Sequence, residues 1–143
     1  MIGALRLKSR SGLLVAAAPR LAVDRQRFEE LVSEALEGLP PRFAERLSNI
    51  DVEVRDWPTP DEMRAARVQP GRLLLGLYRG TPQTRRGHWY SMALPDHILI
   101  YQGPIERVCR NDDEVRERVR RTVVHEIAHH FGWSDAELAE LER

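Results

Sequence analysis

At 143 residues the chain has room for one modest hydrophobic core. With 42% hydrophobic and 31% charged residues, it has the composition of a folded protein rather than a disordered one. Basic and acidic residues balance at 22 each, which argues against nucleic acid as a partner, because phosphate-backbone binders carry a basic excess or stripe. The single cysteine, Cys109, excludes an intrachain disulfide framework and reads as a small buried residue in a cytoplasmic chain. The longest apolar run, Leu13 to Pro19, is far too short to cross a bilayer, so no membrane partner is expected.

Residues 1–22 are expected to be a variable leader, because Arg6, Lys8 and Arg10 precede only a minimal apolar stretch with no clear cleavage site. Residues 23–143 then form a single domain. Asp24 should cap a first helix on which Phe28, Leu31, Val32, Ala35 and Leu36 share a face, with Gly38 and Pro40 ending it. A short second helix is expected from Pro41 through Leu47. Ile50, Val52 and Val54 alternate with Asp51, Glu53 and Arg55, the pattern of a half-buried strand. Residues 57–70 read as a connection with one helical turn around Asp61 to Ala66.

Leu73, Leu74, Leu75 and Leu77 suggest a second strand, where Gly76 marks a bulge or a close backbone approach. The long loop from Arg79 to Pro95 is expected to be functional or mobile. His88 within it and His97 just after it are available to contact substrate. A third strand covers 97–101. Residues 112–131 make the clearest helix, with Arg116 to Arg121 on its wet side, and 134–142 make a last short one.

The clearest helix carries His125, Glu126 and His129 in the pattern H-E-x-x-H. Residues four apart share a helix face, so both imidazoles can reach one metal ion. The adjacent glutamate falls beside the open coordination position, where it can act as general base on the attacking water. Val115, Val119, Val123 and Ile127 recur every fourth residue, and Gly132 stands where the helix should stop. Asp135 is the candidate third ligand, in H-E-x-x-H-x-x-G-x-x-D. Its competing role is in the first turn of a helix opened by a Ser134–Glu137 capping box. Glu137 and Glu140 are the substitutes. His130 falls between Val119 and Val123 on the helical wheel, which suits packing or support behind the ligands.

The segments RTVVHEIAHHFGWSD (121–135), LLLGLYRGTP (73–82), LPDHILIYQGPIE (94–106) and FEELVSEALEGLP (28–40) resemble the bacterial minimal zincin family, over roughly residues 24–142. The resemblance implies a compact α+β domain. A small, mostly antiparallel or mixed sheet would pack on the N-terminal helix and the C-terminal H-E-x-x-H helix. It also implies one zinc ion on His125, His129 and Asp135, Glu126 as base, and hydrolysis of a peptide or protein substrate. The substrate strand is expected to add to a sheet edge, with 97–101 the edge expected. The alternatives are a metal-stabilised, non-catalytic binding module and a processing factor dedicated to one macromolecular partner.

Overall fold

The computed structural model describes residues 21–80 and 96–141. The element order is α1 (Arg25–Glu37), α2 (Pro41–Leu47), β1 (Ile50–Arg55), α3 (Pro60–Ala65), β2 (Gly76–Arg79), β3 (Asp96–Tyr101), α4 (Gln102–Val108), α5 (Asp112–His130) and α6 (Asp135–Leu141). The fold is α+β with a mixed three-stranded sheet in the order β1-β3-β2. β1 pairs with β3 in parallel and β2 pairs with it antiparallel. The loop expected over 79–95, with His88, lies outside the described residues from 81 onward.

Local chemistry explains most helix ends. The Asp24 side chain accepts the Arg27 N–H at the start of α1, and Asn111 accepts the Glu114 N–H at the start of α5. Asp112, Asp113 and Glu114 occupy the first turn of α5, and His129 and His130 the last, an arrangement the helix dipole favours. Val115, Val119, Val123, Val124, Ile127 and Ala128 are buried on one face of α5. All of these but Ala128 meet Phe28, Leu31, Val32 and Ala35 of α1 and Ile98 and Ile100 of β3 in a single core. Ile127 is fully buried, worth roughly 1.5–3 kcal/mol for such a side chain, and so anchors the turn between Glu126 and His129. Leu21 and Val23 also pack against this core. No helix among the described residues is long and apolar enough to cross a membrane.

Two expectations change. The apolar run at 73–75 precedes the strand instead of forming it, and only Gly76–Arg79 pairs along β3. A run of leucines signals burial without saying what receives each one: Leu75 packs on the core, Leu74 lines a cleft and Leu73 stays exposed. Helix α4 was not expected at all. Pro104 reads as a breaker, yet it lies in the first turn, where its missing N–H costs nothing.

Helix α3 covers the other face of the sheet through one buried carboxylate. Glu62 Oε1 accepts the Tyr101 hydroxyl at 2.8 Å and the Thr59 N–H at 3.0 Å. Its Oε2 lies 3.6 Å from both Arg55 and Arg79. Burial alone would raise this carboxyl, but the Thr59 N–H, the Tyr101 hydroxyl and the two guanidinium groups outweigh it and hold it below the usual range. Tyr101→Phe should therefore cost about 1.5–3 kcal/mol at neutral pH, measured by urea unfolding. A folded-state carboxyl held low contributes stability above the unfolded value and loses it as pH falls through the lowered one. The Tyr101→Phe penalty should shrink over that acid window; a penalty independent of pH would disconnect Tyr101 from Glu62.

Candidate metal centre

His125 and His129 stand one turn apart on α5, both exposed, with ring centroids 6.3 Å apart and planes 17° from parallel. Between them in sequence, Glu126 is half-buried and turns toward the sheet. Its Oε1 accepts the Tyr78 backbone N–H at 2.9 Å. Burial pushes this carboxyl up, partly countered by the Tyr78 N–H and by His125 and His129.

The Tyr78 N–H is available because of strand parity. Tyr101 donates its N–H to the Leu75 carbonyl at 3.0 Å, and Leu77 lies opposite Leu99. In an antiparallel ladder this alternation aims the backbone groups of Gly76 and Tyr78 away from β3. β2 is thus the sheet edge that faces α5. The expectation for 97–101 is corrected: that segment is the central strand, paired on both sides, and cannot accept another. His97 lies on β3 with the parity of Leu99 and Tyr101, opposite the Ile98 and Ile100 face that packs on α5.

Gly76 lets the edge come this close. A Cβ there would sit 2.6 Å from Thr122 Cγ2 and 3.0 Å from the Leu99 oxygen, so of the bulge and the close approach expected as alternatives at this glycine, the close approach is what the structure has. His130 stacks on the Tyr78 ring at 3.9 Å and 16°. It packs behind the residue that tethers Glu126, although it is exposed and not inserted between valines. The Tyr78 hydroxyl in turn donates to Asp96 Oδ2 at 2.7 Å.

A cleft of about 600 Å³ opens here, floored by His125, Glu126, His129 and His130 and walled by Gly76, Leu77, Tyr78 and the end of α3 at Ala65, Ala66 and Arg67. Nothing local in the sequence marks Arg67 as part of it; Tyr78 was signalled only by its place in the LLLGLYRGTP segment, and Gly76 by its position within the leucine run.

Beyond α5 the chain turns at Gly132, whose φ of +70° is comfortable only for glycine. Arg42 and Arg46 of α2 clamp this turn, at 4.5 Å over the Trp133 ring and 4.4 Å over Phe131. The Ser134 hydroxyl accepts the Glu137 N–H while Glu137 accepts the Ser134 N–H at 2.7 Å, completing the capping box. Asp135 is exposed at the start of α6, and Leu138 shares a groove with His125. Among the described residues, no three His, Cys, Asp or Glu side chains gather closely enough to hold an ion. Cys109 is buried in the core, and burial pushes its thiol up.

A family model described as zincin-like metallopeptidase matches residues 47–143, which include β1 to β3, the cleft and α5. The chain belongs to the zincin-like metallopeptidase family. A solved structure of similar fold is a conserved hypothetical protein from Thermo thermophilus. It is 25% identical, with a TM-score of 0.52, covering 76% of this chain and 94% of its own. Comparison with curated proteins finds no match. For this zincin-like chain, membership brings a metallopeptidase role and zinc binding at the level of the family.

Proposed function

We propose that this chain is a zinc-dependent hydrolase of peptide bonds, with His125 and His129 as metal ligands and Glu126 as general base. The observation that carries the reading is the setting of Glu126: half-buried beside two parallel, exposed imidazoles, with one oxygen fastened to the outward backbone of an edge strand. The donor set fits zinc, since two imidazoles on one rigid turn with open access suit a catalytic site better than a closed structural one. Bound there, zinc supplies a Lewis acid that brings the pKa of a coordinated water to about 7.

The chain's own residues do the rest. Glu126 Oε1 is held by Tyr78, which leaves Oε2 to take the proton from the attacking water and return it to the leaving amine. The outward backbone groups of β2 other than the Tyr78 N–H, which Glu126 takes, offer an edge along which a peptide strand can lie.

Asp135 is the proposed third ligand. It is supported by its spacing and by the commitment of Glu137 to the capping box, which leaves Asp135 the better-placed carboxylate. A modest shift of α6, whose Leu138 already borders His125, would complete the set. Metal analysis of the purified protein beside a peptide-library cleavage assay tests the whole reading. Asp135→Ala should lose zinc while Glu137→Ala keeps it; the reverse result moves the third ligand to Glu137.

A further inference from the structure

Two helices of this protein end in the same way. At α5 the Gly132 N–H bonds the His129 carbonyl at 3.3 Å and the Trp133 N–H bonds the Ala128 carbonyl at 2.9 Å. At α3 the Arg67 N–H bonds the Arg64 carbonyl at 3.0 Å and the Val68 N–H bonds the Met63 carbonyl at 3.1 Å. Both are Schellman caps, whose left-handed position is normally glycine. Gly132 obeys that rule at +70°, whereas Arg67 adopts a φ of +57° and is the one described non-glycine residue in that region.

An arginine held where glycine is preferred strains the backbone, and such strain collects at functional sites. Arg67 is exposed and lines the cleft opposite His125, Glu126 and His129. Among the described residues its guanidinium has no carboxylate partner, while its neighbour Arg64 is paired with Asp61. Among the described residues that line the cleft, the single carboxylate is Glu126, which Tyr78 already holds. Arg67 therefore presents to the cleft between α3 and α5 a cation that no described carboxylate pairs with.

We propose that Arg67 is a specificity residue, selecting peptides that carry a carboxylate where the bound segment passes the end of α3. The proposal rests on the hydrolase reading only for the choice of a peptide as ligand.

The test is equilibrium binding to zinc-loaded, full-length Glu126→Gln protein. The probes are two random-peptide pools identical except for Glu in one and Gln in the other. The Glu pool should bind about tenfold more tightly, as expected for one charge-assisted contact. Arg67→Gly should bring that ratio to about one. The same change should raise the melting temperature, because glycine relieves the left-handed backbone. Arg67→Lys should keep most of the preference, and Arg64→Gln should keep all of it. Amidating the peptide C-termini separates sources: a preference that survives assigns a side-chain carboxylate, and one confined to free acids assigns the terminus.

Equal or undetectable binding of the two pools overturns the proposal, as does a preference that persists in Arg67→Gly. An RNA oligonucleotide of matched charge that displaces the Glu pool more strongly than free peptide does also overturns it. Cleavage by the unaltered protein is read in parallel. Cleavage of both pools without preference sinks the role of Arg67 and leaves the hydrolase; Arg67-dependent binding without cleavage does the opposite.

Discussion

Glu126→Gln is expected to keep bound zinc and to lose peptide hydrolysis by roughly 10²–10⁴-fold in kcat, the range for removal of a positioned general base. The substitution is nearly isosteric, and a glutamine Oε1 can still accept the Tyr78 N–H that orients Glu126. Position and packing are therefore held while the proton-accepting oxygen is removed. The control readouts are zinc stoichiometry and melting temperature, which should stay near those of the unaltered protein. Turnover unchanged in this variant would remove Glu126 from the chemistry and leave it a strand tether only.

His125→Ala and His129→Ala should each weaken zinc binding by more than about 100-fold, exceeding the loss typical of residues that merely support ligands. Both side chains are exposed and neither contributes to the core, so the apo fold should tolerate the changes. Metal binding is linked to folding. Zinc at a hundredfold excess over its Kd should raise the stability of the unaltered protein by about 2.7 kcal/mol, and the variants should show almost none of that increment. Metal analysis and thermal melts with and without zinc check this together. One zinc per chain retained in either variant would strike that histidine from the ligand set.

What could be read in advance was whatever local geometry decides. H-E-x-x-H places two imidazoles on one turn of helix wherever that helix packs, so the grouping of His125, Glu126 and His129 needs only the helical period. The caps at Asp24 and Asn111, the stop at Gly132 and the Ser134–Glu137 box are likewise contacts within a few residues. Gly76 announced a bulge or a close approach, although not to what. Short apolar runs were less legible, because Leu73 to Leu75 carry no period that separates a strand from a cleft lining. Helix α4 was hidden by a proline that happens to fall in a first turn.

The chain by itself thus determined the face that offers the imidazoles, the glutamate beside them and the family to which they belong. Tertiary structure decided which strand is the edge, because pairing order depends on contacts between residues far apart in sequence: β3 lies between β1 and β2. It also decided which oxygen of Glu126 is held, through a backbone N–H 48 residues away. Finally it brought Arg67, an unremarked arginine after a six-residue helix, to the wall of the cleft. A side chain's neighbours across a cleft are set by how elements dock, and no local pattern encodes that docking.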